Sequence, residues 1–417
     1  MLGVAEASER ILARLGTCSS ERVRLADALG RVLARDVVSA VALPPWPNSA
    51  MDGYAVRAED VRGATSGRPV RLTVTESIAA GRFASGPVRK GEAARIMTGA
   101  PLPQGADTVV RVEDTDDGDS TVEIRSDRDA ERNVRPRAED VAEGDTVLRA
   151  HSALGPSALA MLAAVGYADV DVIRRPRVAI LGSGDELVPV EQFAEVVAGR
   201  RIVATNGYAL VAIVREAGGE PIDLGIAPDD ARAIADRLRD FTDVDLIVTT
   251  GGISVGAHDH TRAVVGDLGA VDFWRVRMRP GAQTGFGDIG GVPWIGLPGN
   301  PVSALITGEL FVRAAVLRLS GLRAVHRVPL AVCLAERVTT PGGMAHLLRV
   351  TVTLTDGRRT ARLTGPQGSG ILSSMARADA LLVVPEDRQV VEAGETLAAI
   401  PLAPCEMADH LSLSVER

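Results

Sequence analysis

The residues best suited to chemistry in this sequence gather in three glycine-rich loops. The first is Gly182-Ser183-Gly184-Asp185-Glu186-Leu187. The second is Gly251-Gly252-Ile253-Ser254-Val255-Gly256, running on to Asp259. The third is Leu297-Pro298-Gly299-Asn300-Pro301-Val302-Ser303. Each follows a short apolar run, at 177–181, 245–250 and 292–297, of the kind that forms a buried strand. In the third loop Asn300 is a natural N-cap and Pro301 suits the first helical turn. Backbone amides at such a helix start, approached closely where glycines lack side chains, form an anion site. One such loop alone is only a turn joining strand to helix. Three at the same end of one sheet, where open α/β sheets hold ligands, point to a phosphate-bearing ligand. NAD and ATP fit poorly: no loop spells GxGxxG into a helix, Asp185 and Glu186 stand where a pyrophosphate wants amides, and no Walker lysine pattern is present.

Other candidates carry two readings each. Asp52 follows the proline break LPPWP within Asn48-Ser49-Ala50-Met51-Asp52-Gly53 and could be an aimed carboxylate, although Asp-Gly is first a turn signal. The same holds for Thr98 in Ile96-Met97-Thr98-Gly99-Ala100-Pro101 and for Glu139-Asp140. Arg275, Arg277 and Arg279 alternate along a predicted strand, which places them on one face. They read as a solvated edge or as forks for a tetrahedral oxyanion. The six histidines show no metal-ligand spacing, and His258 and His260, flanking Asp259, read as loop surface.

The elements that must hold these residues follow from periodicity. From residue 4 to about 34, Ile11, Leu12, Leu15, Val23, Leu25, Leu29 and Val32 fall at helical spacing. From 41 to 147 short alternating runs, such as 71–74 and 121–124, between glycine turns predict a β domain. Residues 152–165 are helical again. Between 177 and 319 strands and helices alternate, which implies a parallel, doubly wound sheet. Within it Thr205 or Asn206 is expected to cap a helix that uses Leu210, Ile213 and Val214 and ends at Gly218-Gly219. Residues 221–226 predict a strand, and 229–241 a helix with acids in its first turn. Alternating runs at 328–333, 348–354 and 380–384 predict a last small β domain. The expected fold class is therefore α/β and β multidomain: a central three-layer α/β domain, two β-rich domains and a mixed helical N-terminal domain. The expected division is 1–40 plus 148–175, 41–147, 176–326 and 327–417.

Bulk properties bound the function. A chain of 417 residues exceeds what one core can serve. A net charge of −8 disfavours nucleic acid and anionic membranes, and 3% aromatic content argues against a surface of stacked bases. Cys18, Cys333 and Cys405 are far apart and form no CxxC pair, which fits a reducing cytoplasm better than a disulfide framework or a zinc site. The start of the chain shows no secretory signal, and the apolar stretch near 158–165 is far short of the ~20 residues that span a bilayer. A soluble cytoplasmic protein is expected.

The motifs LPPWPNSAMDGYAVR, RIMTGAPLPQGADTVV, GDELV, TTGGISVGAHDHT and GLPGNPVSA, with the tail GPQGSGILSSMARADALLVVP, occur in an order that resembles the MoeA/gephyrin-E family of molybdopterin molybdenumtransferases. The resemblance covers essentially the whole chain, whereas the loops from 182 to 303 alone fit the wider molybdopterin-binding fold. It implies that the central domain binds molybdopterin, and that the protein is a homodimer of four-domain subunits. The active site would lie between the α/β domain of one subunit and the Asp52-bearing β domain of the other. It implies that adenylated molybdopterin and molybdate give molybdenum cofactor and AMP with Mg2+. Carried over by position, Asp52, Thr98, Asp140, Glu186 and Asp259 are expected to be catalytic, with Glu186 and Asp259 toward the metal. Gly251, Gly252, Ser254, Asp229, Pro298, Gly299, Asn300 and Ser303 are expected to bind substrate, as are Arg275, Arg279, Arg349 and Ser369 toward an oxyanion. The implied partners are the molybdopterin adenylyltransferase and recipient apo-molybdoenzymes, with no nucleic acid and no membrane.

Four positions depart from the family pattern. Arg275 and Arg279 replace the usual lysines, Ala204 stands where an aspartate is usual before Thr205-Asn206, and Ala138 replaces a glycine. They keep two alternatives open: a weakened paralogue that binds molybdopterin as a dimeric scaffold, or a molybdopterin adenylyltransferase.

Overall fold

A computed structural model describes residues 1–239, 243–252, 260–273, 275–355 and 357–402. The chain divides into two compact units. One comprises Val23–Leu29 and Arg35–Val170; the other comprises Met1–Arg22, Gly30–Ala34 and the chain from Asp171 onward.

The first of these is built on a five-stranded sheet, in the order Thr108–Arg111, Gly53–Val56, Glu92–Ile96, Val70–Ile78, Thr121–Ile124. Alternate side chains from its strands, among them Tyr54, Leu72, Val110, Val122 and Ile124, form one apolar core. Gly53 is required by packing, since a Cβ there would lie 2.0 Å from the Val110 carbonyl oxygen.

The long N-terminal helix expected from periodicity is not formed. The helix covers Val4–Ala13, Ser20–Arg24 is a strand, and Leu25–Asp27 is a single 3-10 turn. Gly16, Thr17, Ser19 and Ser20 stop the helix because glycine, serine and threonine favour turns or strand over helix. Only the first part of the apolar stripe is real: Ala7 and Ile11 enter the core of the second unit, whereas Leu29 is exposed.

In the α/β part of the second unit the elements are β1 (Arg177–Ser183), β2 (Leu187–Val188), β3 (Ile202–Val203), α1 (Thr205–Glu216), β4 (Glu220–Ala227), α2 (Ala231–Arg239), β5 (Leu246–Thr250), α3 (His260–Leu268), β6 (Gly269–Phe273), β7 (Gly285–Ile289), β8 (Val292–Leu297) and α4 (Pro301–Thr307). The main sheet runs β4-β1-β5-β8-β7-β6. Its first four strands are parallel, but β7 is antiparallel to β8 and β6 antiparallel to β7, so the sheet is mixed rather than wholly parallel. The cause is local: Gly290 and Gly291, both with positive φ, close a two-residue hairpin between β7 and β8.

Successive side chains of a strand point to opposite faces. Val178, Ile180, Leu246, Val248, Ile295 and Leu297 pack with Leu210 and Val214 of α1 and Val302 and Ile306 of α4. Ala179, Leu181, Ile247 and Trp294 pack with Ile234 and Leu238 of α2 and Val264 and Val265 of α3. Helices therefore cover both faces, giving three layers.

Two helix starts differ from expectation. α1 begins at Thr205 with Ala204 at the N-cap and no capping side chain, so neither Thr205 nor Asn206 caps it. α2 begins at Ala231, beyond Asp229 and Asp230, and Asp230 Oδ1 accepts from Ala233 N at 2.9 Å. That carboxylate satisfies one of the orphan amides of the first turn.

The last domain is a closed barrel. Ala345–Thr355 pairs with Arg358–Leu363, which pairs in turn with Leu330–Leu334, Thr396–Pro401 and Ala380–Val384, and the last strand returns to the first. Closure leaves no free edge among these strands. Among the described residues no helix is long and apolar enough to cross a membrane.

Candidate active-site cleft

The carboxyl ends of β1, β5 and β8 open into a cleft of about 650 Å3. Its floor is made by Gly182-Ser183-Gly184 after β1, Thr250-Gly251-Gly252 after β5, and Pro298-Gly299-Asn300-Pro301 after β8. The described parts of the three loops singled out in the sequence, residues 251–252 for the second, are thus brought together at one end of the sheet, as parallel strand direction requires.

Close backbone approach explains the glycines. Gly251 has φ of +90°, and a Cβ there would lie 2.4 Å from the Ser183 carbonyl oxygen. Gly252 has φ of +62°, and its Cβ would lie 2.4 Å from Thr261 Oγ1 and 2.9 Å from Ser183 Oγ. The second and third loops also meet, with a Cβ on Gly299 falling 3.5 Å from Gly251 Cα.

The third loop is narrower as an anion site than its sequence implies. Asn300 occupies the N-cap of α4 but makes no capping bond with its side chain. Pro301 has no N–H, and Val302 N donates to the Ser369 carbonyl at 3.0 Å. Ser303 is buried and does not line the cleft; its carbonyl accepts from Thr307 Oγ1 at 2.7 Å. Ser369 therefore does lie beside the start of α4, held there through its backbone.

Behind the loops lies a bond network the sequence did not disclose. Asn206 Nδ2 donates to Thr250 Oγ1 at 2.9 Å and to the Gly299 carbonyl at 2.8 Å, and Thr250 Oγ1 donates to the Pro298 carbonyl at 3.0 Å. Asparagine near a helix start was read as a cap. Its true partners are 44 and 93 residues away, which no local rule can reach.

Glu186, Asp229 and Asp223 line the same cleft, and Asp185 Oδ1 accepts from Asp229 N at 3.2 Å. Glu186 and Asp229 were expected there; Asp223 and Tyr208 were not, because they were read as parts of a strand and a helix, and Gln283 had drawn no reading. Hard carboxylate oxygens of this kind suit a magnesium ion that also binds substrate phosphate. Among the described residues no group of three or more metal-ligating side chains is assembled, so a protein-only metal cage is not what these residues offer. Ser254 and Asp259 lie outside the described residues.

The arginines do not gather as expected. Only Met278–Arg279 forms a strand, because the chain turns tightly, Met278 N donating to Val276 O and Val276 N to Ala282 O. The alternation survives the turn: Val276, Met278 and Pro280 are buried while Arg275 and Arg279 are exposed, and neither arginine lines the cleft. Arg277 is engaged by Glu386 at 2.9 Å and by the Met1 carbonyl at 2.7 Å. Arg349 is fully buried, with Nε donating to Ser374 Oγ and Nη2 to the Gly368 carbonyl, both at 3.0 Å. Among the described residues its Nη1 has no partner, and burial lowers its pKa. Arg349 thus clamps the loop that carries Ser369 to α4.

Asp52, Thr98 and Asp140 belong to the other unit. Asp52 Oδ1 accepts from Thr98 N and from Thr98 Oγ1, both at 2.7 Å. These two bonds, the backbone one foremost, hold the Asp52 carboxyl below the usual carboxylate range. Asp140 is exposed, with its N–H donating to the Leu43 carbonyl. Nearby, Ala138 sits at φ of +63°, a conformation that suits the glycine expected there.

Known proteins resemble the chain from end to end. Residues 2–166 match the family described as MoeA N-terminal region (domain I and II), 179–318 match a probable molybdopterin binding domain, and 331–402 match MoeA C-terminal region (domain IV). A molybdopterin molybdenumtransferase 2 of Mycobacterium tuberculosis is 38% identical over 410 residues, covering 95% of this chain and 98% of that protein. A molybdopterin molybdenumtransferase of Haemophilus influenzae is 32% identical over 410 residues, covering 96% and 98%. Among solved structures, the molybdopterin biosynthesis moeA protein of Pyrococcus horikoshii OT3 superposes with a TM-score of 0.83 at 30% identity, covering 96% of this chain and 100% of that one.

Proposed function

Because the chain belongs to the MoeA family of molybdopterin molybdenumtransferases, and so inserts molybdenum into molybdopterin, we propose the finer reaction: adenylated molybdopterin and molybdate give molybdenum cofactor and AMP. The observation that carries this reading is the convergence of the three glycine-bearing loops on one cleft that also holds Glu186 and Asp229. Glycines let a phosphorylated ligand approach the backbone, and the Asn206 network keeps the Thr250 and Pro298-Gly299 segments in register.

Glu186 is the cleft carboxylate assigned to magnesium, with Asp223 and Asp229 beside it in the lining and Asp259 assigned to the same task by position. When bound, the ion neutralises charge that develops on the departing phosphate. Arg349 and Ser369 serve the oxyanion in this reading, Arg349 through its grip on the loop that carries Ser369. Asp52, Thr98 and Asp140 are proposed to act in turnover, and Arg275 and Arg279 to bring the dianion in by their charge. Four domains per subunit, a homodimer, hand-over from an adenylyltransferase to apo-molybdoenzymes, and a cytoplasmic setting belong to the same proposal.

The test is AMP release from adenylated molybdopterin, with and without molybdate, in magnesium buffer. Molybdate-dependent release, with a product that activates an apo-molybdoenzyme, is expected. Tight binding without release would instead mark a weakened paralogue, and AMP transfer from ATP would mark an adenylyltransferase.

A further inference from the structure

One flank of the cleft is apolar and tied by backbone hydrogen bonds. Strands β2 and β3 pair in parallel with Leu187 opposite Ile202. Two more backbone bonds extend this ribbon, Ile202 N to Glu186 O and Ala204 N to Val188 O, both 2.9 Å. The ribbon brings Leu187, Pro189 and Ile202 to the cleft wall. Tyr208, on the first turn of α1, lines the same cleft and is its one aromatic side chain among the described residues. The Tyr208 hydroxyl accepts from Val190 N at 3.3 Å, which ties the ring to the chain leaving β2.

This flank is open to water: Ile202 is 55% exposed and Tyr208 50%. Apolar surface left in water loses about 25 cal/mol per Å2 relative to burial. Such surface on a preformed cleft wall, pinned by hydrogen bonds on both sides, is suited to a ligand face rather than to the core. The rest of the lining includes the carboxylates Glu186, Asp223 and Asp229 and the glycine-bearing loops. The substrate of the reading above, on which this step rests, carries a fused, flat nitrogen heterocycle at each end, adenine and pterin, with phosphates between.

We propose that Tyr208, flanked by Pro189 and Ile202, is a stacking platform for one of the two fused heterocycles of the substrate. The phenol ring offers its face, while its hydroxyl is occupied in holding the ring in place. Tyr208 is thus a specificity-determining residue: it selects a flat aromatic head group, and the glycine loops select the phosphate.

The test titrates AMP and adenylated molybdopterin separately into the full-length protein and its Tyr208→Ala and Tyr208→Phe variants. Tyr208 is half exposed, so both variants are expected to keep the wild-type melting temperature. Stacking of a base on an aromatic ring is worth roughly 5- to 150-fold in affinity. Tyr208→Ala should lose binding in that range, with the kinetic loss falling on KM more than on kcat, and Tyr208→Phe should stay within about twofold because the ring face remains. Weaker AMP binding in Tyr208→Ala assigns the wall to adenine. Unchanged AMP binding with weaker adenylated molybdopterin assigns it to the pterin. Unchanged binding of both ligands overturns the proposal, and so does a Tyr208→Phe loss as large as that of alanine. Failure of the insertase reading shows separately, as wild-type protein that releases no AMP on adding molybdate.

Discussion

The side-chain amide of Asn206 donates to the Gly299 carbonyl at 2.8 Å, joining the first turn of α1 to the loop after β8. The same nitrogen reaches Thr250 Oγ1, so one residue fixes two of the three loops that floor the cleft. Neutral hydrogen bonds of this kind contribute about 0.5–1.5 kcal/mol each to stability. Their greater effect is on placement, since a shift of about 1 Å in a positioning element can cost on the order of a hundredfold in rate. Asn206→Ala is therefore expected to lose about 1–2 kcal/mol in denaturant unfolding and at least about tenfold in molybdate-dependent AMP release. Turnover equal to wild type would show that the loops hold their register without Asn206.

The acceptor role of Asp52 toward Thr98 carries a pH signature. A carboxyl whose folded pKa is depressed contributes stability that is present above its unfolded pKa and lost as pH falls through the folded value. Thr98→Val removes the hydroxyl donor and leaves the backbone donor, so the Asp52 pKa should rise part of the way back to the ordinary range. A carbon-13 titration of the Asp52 carboxyl reads this directly. If Asp52 works as a carboxylate in turnover, the acid limb of the rate profile moves to higher pH in the same variant. An Asp52 titration identical to wild type would mean the hydroxyl bond contributes nothing to its acidity.

Ala138 gives a stability prediction of the opposite sign. A left-handed backbone costs a residue with a Cβ roughly 1–2 kcal/mol, and glycine avoids that cost while adding freedom to the unfolded chain. With φ of +63° at Ala138, Ala138→Gly is expected to stabilise the protein by about 1 kcal/mol. Guanidinium unfolding followed through the transition of the unit that holds Ala138 would measure it. A lower midpoint with an unchanged slope would mean that the φ strain is relieved elsewhere.

What the sequence disclosed and what it hid divide by range. Apolar runs bounded by glycine placed β1, β5 and β8 within a residue or two, because a buried strand writes its own composition. The loops after those strands followed, since strand direction alone decides which end they share. The two-residue Gly290-Gly291 turn was a local signal too, and it makes β7 and β8 a hairpin inside a sheet expected to be wholly parallel. By contrast the stripe from residue 4 to 34 mimicked a helix, because short elements of different kind can space apolar residues alike. Asn206 was read as a local cap, and tertiary partners claimed its side-chain amide instead. Arg275 and Arg279 alternate as expected yet are not among the described residues that line the cleft, and periodicity gives a face without saying what lies opposite.

Gly252 concentrates the argument about the cleft floor in a single position. Its φ of +62° disfavours any side chain, and a methyl group there would sit 2.4 Å from the buried Thr261 Oγ1 and 2.9 Å from the buried Ser183 Oγ. Neither hydroxyl is the end of a long flexible side chain, so the loop itself must move. Gly252→Ala should cost about 1–3 kcal/mol in stability, from the left-handed backbone and the overlap together. The loss of AMP and substrate affinity should exceed what that instability explains at a temperature where the variant is fully folded. Gly266→Ala is the control, because a Cβ there meets nothing within 4 Å and the residue lies within α3. Alanine for glycine inside a helix stabilises by roughly 0.5–1 kcal/mol and should leave binding untouched. Equal ligand affinity for Gly252→Ala and wild type would show that the phosphate does not approach this backbone, and would move the anion site to the Pro298-Gly299-Asn300 loop.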